Sequence, residues 1–202
     1  MYVPSKFKVE DQNAIFSFIK ENPFGLLISI DGDEIHDTHT PLHLKANGTI
    51  YGHIARANSQ WKSWNQSSKV KVVFTGPHSY ISPKFYESDF NVPTWNYSAV
   101  SVTGDIKIID SKDEVLDFLD ALIQDNEGSD NPWTLDRSDD RYIQLLSGFV
   151  VFQITPTNIQ ASFKMNQNKS FEDKSKVIDS LKHSGCPFDH QTSEFMAHTN
   201  KL

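Results

Sequence analysis

Two tight turns in the first fifty residues constrain the fold of this chain most. Asn47-Gly48 separates the segment Glu34–Leu44 from Thr49–Ile54. Asn-Gly between alternating segments is a strong short-range hairpin signal, because both positions tolerate positive φ. Asp31-Gly32 ends a preceding strand, Phe24–Ile30. Three consecutive strands joined this tightly predict an antiparallel meander. Further strands are predicted at Val70–Thr75, closed by Gly76-Pro77, and at Asn91–Ile109, with an irregularity at Gly104. Tyr80–Tyr86, broken by Pro83, suits an edge or a loop. Later in the chain come Phe149–Ile154 and, as a separate strand, Asn158–Lys164.

Helices punctuate this pattern. Asp11 caps an amphipathic segment reaching Glu21, which Asn22-Pro23 stops because proline bars helix from the preceding residue. Lys112–Asp125 has Ser111 as its cap and a continuous apolar stripe from Val115 to Ile123. A polar loop, Glu127–Arg137, carries Trp133, and short helices are predicted over Asp140–Leu146 and Glu172–Lys182. Residues 183–202 are polar and histidine-containing, so they read as an extended or poorly ordered tail to a domain spanning 1–182. Six or more strands with short turns and a few helices make the fold class mainly β, an antiparallel barrel with peripheral helices.

Composition excludes several functions. The formal charge of −7 argues against a broad nucleic-acid face, which needs excess Lys and Arg. One cysteine, Cys186, excludes an intrachain disulfide and fits a reducing compartment. No apolar run approaches the ~20 residues of a membrane span. The chain reads as soluble and cytoplasmic. His36, His39, His43 and His53 fall close together, but no carboxylate or cysteine joins them at ligand spacing. GxSxG, GxGxxG and GxxxxGK[ST] are all absent, so any nucleotide cofactor needs a non-Rossmann arrangement.

Binding chemistry concentrates in three segments. Thr49–Trp64 runs from a strand into a turn or helix start at Arg56 and Asn58. A guanidinium beside backbone N–H groups there is a phosphate receptor. The competing reading makes Arg56 a surface residue and Trp61 with Trp64 core. Val92–Val100 concentrates Trp95, Asn96 and Tyr97, which can stack on a planar ring and read its edge, or simply pack at a strand start. Lys164–Asn168 offers one cation and three amides, suited to flavin carbonyls or to a turn.

In order, these segments resemble the PaiB family of bacterial FMN-binding negative transcriptional regulators. The residues that carry the resemblance are MYVP with Phe7, NPFGLLIS (Asn22–Ser29), THTPL (Thr38–Leu42) and GHIARANSQW (Gly52–Trp61). FTGPHSYISPKFY (Phe74–Tyr86), VPTWNY (Val92–Tyr97) and KMNQN (Lys164–Asn168) complete the set. Asn166 stands where the family pattern carries serine, and the lysine many relatives have near Gln60 is absent, with Lys62 close by. The resemblance implies a split β-barrel of the pyridoxamine-phosphate-oxidase type, a homodimer with FMN between subunits. It implies cofactor contacts from Thr38, His39, Thr40, His53, Arg56, Ala57, Asn58 and Gln60, with Trp95, Tyr97, Lys164 and Gln167 near the ring or the partner subunit. A DNA or regulatory-protein partner is implied by the family role, although the charge and the lack of a helix pair do not support DNA contact. The alternatives are an FMN-dependent oxidoreductase and a cofactor-free binding module of the same fold.

Overall fold

The meander forms as the turns dictate. In the computed structural model, which describes residues 1–65, 68–128, 130 and 132–202, the first elements are β1 (Lys8–Val9), α1 (Gln12–Glu21), β2 (Phe24–Asp31), β3 (Glu34–Leu44) and β4 (Ile50–Ala55). Asp31 pairs with Glu34, so the β2–β3 loop is Gly32-Asp33, one residue later than predicted. Gly32 adopts φ 58° and Gly48 φ 86°, conformations a side chain disfavours. Lys45 N–H donates to Thr49 O, and Asn47 Oδ1 accepts from Thr49 N–H, which fixes the second turn.

The chain continues through β5 (Lys69–Ile81), β6 (Thr94–Ile109), α2 (Lys112–Glu127), α3 (Asp140–Leu145), β7 (Phe149–Lys164), α4 (Phe171–Lys182) and α5 (Pro187–Asn200). Ser111 caps α2 as predicted, its Oγ accepting from Glu114 N–H. The strands form one antiparallel sheet in the order β1-β7-β4-β3-β2-β5-β6, and β6 pairs again with β7. This is the split-barrel architecture with flanking helices. Ser129 and Asn131 of the predicted polar loop lie outside the described residues.

Two strands are longer than predicted. β5 runs straight through Gly76-Pro77, where a Cβ on Gly76 would sit 2.5 Å from the Phe18 ring. The glycine is there to admit an aromatic ring, and Ser98 Oγ donating to Pro77 O helps hold the strand beyond it. β7 likewise joins the two predicted segments across Thr155-Pro156-Thr157. A Cβ on Gly104 would lie 2.5 Å from the Thr155 carbonyl, so Gly104 marks a close backbone approach.

By contacts the chain divides into two units. One comprises Ile19–Phe74 and Val102–Ile159. Its inward face is apolar (Leu27, Leu42, Ile54, Val72 and Phe152 are buried), and Trp64 meets Phe152 edge-on at 5.2 Å. Its other face carries Ile109 and Val151, covered by Phe118, Val115 and Leu119 of α2.

The second unit comprises Met1–Phe18, Thr75–Ser101 and Gln160–Leu202. Phe18, Phe163 and Phe195 pack there with centroids 4.9–6.0 Å apart. Here the predicted extended tail is corrected: residues 187–200 form α5, led by Pro187 and docked on the rest of this unit. Its buried side chains are Thr192, Ser193 and Met196. Ser79 Oγ donates to Thr192 Oγ1 at 2.8 Å, and Asn200 Nδ2 to Met165 O at 2.8 Å. A helix that docks through hydroxyls, an amide, one thioether and the single ring of Phe195 shows little apolar periodicity, which is why its sequence reads as tail.

Candidate functional site

The corner where β4 leaves the sheet is built from a short polar circuit. Asn58 Oδ1 accepts from Gln60 N–H at 2.9 Å and opens a 3-10 turn, Ser59–Ser63. Asn58 Nδ2 donates to Thr38 Oγ1 at 2.8 Å, and Thr38 donates on to Gln60 Oε1 at 2.6 Å. Gln60, 1% exposed, returns its amide to Ser29 Oγ at 3.1 Å and, at 3.4 Å, to the Leu27 and His36 carbonyls. Thr38, Asn58 and Gln60 thus satisfy one another, and they fix the turn against β2 and β3. A buried polar network with every member paired holds its surroundings in one geometry.

That corner carries Arg56. Its Nε donates to Ser147 O at 2.7 Å and its Nη2 to Phe149 O at 2.9 Å, while its backbone N–H donates to Gly148 O. The Trp61 ring lies 5.6 Å from the guanidinium carbon, and the Trp61 indole N–H donates to Arg56 O. One edge of the planar fork is therefore spent on carbonyls and one face lies near the indole. Of the five N–H donors of an arginine, three have no partner among the described residues, including the end-on pair that meets a phosphate or carboxylate bidentately. Arg56 and the adjoining Ala57 are both exposed. A fixed cation with an open fork is suited to a phosphomonoester, so the donor set fits the phosphate of FMN.

Other predicted residues lie around this corner. Thr40 is buried and donates to the His53 carbonyl at 2.5 Å, holding β3 to β4. His39, on the opposite face of β3, is exposed and stacks with Phe24 at 5.7 Å. The His53 ring sits 5.9 Å from Phe118 and 5.5 Å from Phe149, and its Nδ1 is buried with no partner among the described residues. Burial holds this imidazole below its ordinary pKa. His43 instead pairs with Asp125 of α2.

The remaining predicted residues belong to the other unit. Trp95 is 50% exposed, its indole N–H directed at His78 Nδ1 (3.4 Å) and its ring 6.3 Å from Tyr80. Tyr97 accepts from Ser162 Oγ at 3.4 Å. Lys164 donates to Thr94 Oγ1, and burial lowers its pKa. Gln167 accepts from Met165 N–H and donates to Phe163 O, so its amide closes the end of β7. Asn166 adopts φ 61° there, a left-handed conformation asparagine tolerates better than most side chains.

Sequence reasoning missed Ser29, the buried acceptor for Gln60, and the Ser147 and Phe149 carbonyls that orient Arg56. It also grouped two tryptophans that the fold separates: Trp64 is core, while Trp61 packs beside Arg56.

The family profile described as "Putative FMN-binding domain" matches residues 1–158. Over 201 residues, covering 97% of this chain and 96% of the relative, the sequence is 35% identical to the Protease synthase and sporulation protein PAI 2 of Bacillus subtilis (strain 168). The chain belongs to the PaiB family. It is an FMN-binding protein of that family. Among solved structures, this PaiB-family chain is similar to the conserved hypothetical protein Rv2991 of Mycobacterium tuberculosis. The TM-score is 0.61 at 13% identity, covering 84% of this chain and 94% of that one. The flavocytochrome Anf3 of Azotobacter vinelandii matches with a TM-score of 0.58 at 13% identity, covering 80% and 72%. At these identities the likeness is one of fold. No helix among the described residues is long and apolar enough to cross a membrane.

Proposed function

We propose that this PaiB-family protein is a cytoplasmic homodimer that acts as an FMN-dependent negative transcriptional regulator, with Arg56 as the principal phosphate contact. The observation that carries the FMN site is the orientation of Arg56. Two carbonyls and an indole hold the guanidinium of this exposed residue in place and leave its end-on pair without a partner among the described residues, which spares the ordering entropy a free arginine would lose on binding. Ala57 and Asn58 shape the turn beneath it. Thr38, Gln60 and Thr40 act as supports, since their polar atoms are engaged within the protein. Trp95, Tyr97, Lys164 and Gln167, which belong to the other unit, are proposed to lie near the ring or the partner subunit, offering an exposed indole to stack on and a partly desolvated ammonium. His39 and His53 complete the proposed lining. When bound, FMN would supply reversible one- or two-electron redox chemistry, and the chain's residues would bind and orient it.

The regulatory reading is supported by kinship with a protein named for protease synthesis and sporulation. With a formal charge of −7, the chain lacks the surplus of cations for extensive phosphate-backbone contact, so we propose that repression runs through a protein partner. The test is a pair of measurements on wild type and Arg56→Ala. FMN affinity should fall at least about tenfold, or ~1.4 kcal/mol, and target transcripts in cells carrying the variant should rise. An unchanged flavin titration removes Arg56 from the site. Steady NAD(P)H consumption by the flavin-loaded protein, with no transcriptional effect, replaces the regulator with an oxidoreductase.

A further inference from the structure

Where the last turn of α2 meets β3 and the end of α1 lies a cleft of about 240 Å³, smaller than a site for a drug-sized ligand. Every residue that lines it belongs to the unit of Ile19–Phe74 and Val102–Ile159, and none of them is a proposed FMN contact. Pro23, Pro41 and Leu122 give it apolar walls, and Lys20 and Asp125 bring one cation and one anion to the same space. These two charges do not pair with each other. Asp125 pairs with His43, and Lys20, which is exposed, has no partner among the described residues.

The acceptors collect on the α2 side of the cleft. Asp125 holds the Nδ1 of His43, so its carboxylate is turned toward the strand that lines the cleft, and the neutral ring keeps Nε2 as an acceptor. Asn126 Nδ2 donates to Leu122 O at 2.7 Å, which leaves Oδ1 as the acceptor end of the amide. α2 carries no basic residue in its last turn, so the partial negative charge of its terminal carbonyls adds to that of Asp125. A simple anion would face this side unanswered, and a simple cation would face Lys20. We infer that the cleft binds a molecule carrying both charges on an apolar body, a free α-amino acid with an aliphatic side chain. Its ammonium would sit against Asp125, His43 and Asn126, and its carboxylate would meet Lys20. The side chain would lie on Leu122 and the two prolines, trading water for apolar surface.

L-Leucine is the probe, titrated by calorimetry into the purified full chain without added flavin. Isoamylamine, isocaproate and glycine are the comparators, and they remove the carboxylate, the ammonium and the side chain in turn. The expected result is saturable one-to-one binding of leucine, with each comparator at least about tenfold weaker. Lys20→Gln should reduce leucine to the affinity of isoamylamine, and Leu122→Trp, which fills the cleft, should abolish binding. Urea unfolding of both variants verifies that they are folded, and the exposed position of Lys20 makes its variant the safer of the two. The inference is overturned if leucine fails to saturate, if any comparator binds as well, or if folded Lys20→Gln binds leucine like the wild type. None of these results alters the flavin titration of Arg56→Ala, so the two readings fail separately.

Discussion

Replacing Gln60 with leucine tests whether the polar circuit beneath the β4 corner is structural. Leucine fits the space but supplies neither the acceptor that Thr38 uses nor the donor that reaches Ser29. Ser29 is 3% exposed and Gln60 is its one side-chain partner in the circuit; an unsatisfied buried hydroxyl costs about 1–3 kcal/mol. Thr38 is half-buried and keeps Asn58 as a donor, so its loss falls at the low end, about 0.5–1.5 kcal/mol. Apolar burial by leucine offsets part of this. The net cost is therefore about 1–3 kcal/mol, or a fall of roughly 2–12 °C in Tm for a domain of this size. Urea titration at neutral pH measures it, with an unchanged m-value expected. The origin is checked by a double-mutant cycle. Ser29→Ala should be costly in the wild type and nearly neutral beside Gln60→Leu, because the hydroxyl it removes has already lost its partner. A cost below about 0.5 kcal/mol for Gln60→Leu, within the range of ordinary surface substitutions, would refute the account, as would an equal cost for Ser29→Ala in both backgrounds.

Two further expectations concern pH. Burial lowers the His53 pKa, so the unfolded chain binds more protons there than the folded one as pH falls below about 6.5. The stability His53 contributes is full above that pH and declines as pH drops through the folded value. His53→Leu, packed between the same two phenylalanines, should therefore flatten the change in urea midpoint between about pH 7.5 and pH 5 relative to wild type. Asp173 shifts in the same direction for a different reason: N–H groups of Ser88 and Glu87 and the Ser88 hydroxyl donate to its carboxylate and hold its pKa below the ordinary range. Its contribution should be complete above about pH 4 and lost as pH falls through the folded value. The stability gap between wild type and Asp173→Asn should accordingly narrow in acid denaturation below that pH, and a gap constant down to pH 2 would contradict the assignment.

What was legible in the sequence is what neighbouring residues decide. Gly32 and Gly48 sit at turns only a few residues long, and Ser111 caps a helix whose apolar stripe repeats every turn. These signals are local, and they placed β2, β3, β4 and α2 nearly as they stand. Gly76 read as a break and Gly104 as an irregularity because a glycine looks the same in sequence whether it ends or bends a strand or admits a distant ring or carbonyl. Arg56 shows the same limit at the site. Its position after β4 was legible, but the carbonyls that aim its side chain lie 91 and 93 residues away. Helix α5 was hidden for another reason: it buries hydroxyls that find partners, and hydropathy does not register a partnered hydroxyl.

The division of the chain also bears on its synthesis. The unit that begins at Met1 is completed by residues 75–101 and 160–202, so its first strand and most of α1 leave the ribosome long before the phenylalanines and α5 that enclose them. The other unit is likewise drawn from two separated stretches, Ile19–Phe74 and Val102–Ile159. Neither can close on a nascent chain shorter than about its last contributing segment, and contacts this distant in sequence make for slow folding. During translation the meander of β2, β3 and β4 would stand with an unpaired, apolar edge, the form of intermediate most exposed to aggregation. A chain stalled near residue 159 would carry Phe18 with neither Phe163 nor Phe195 to receive it, and such a chain is a natural client for a chaperone.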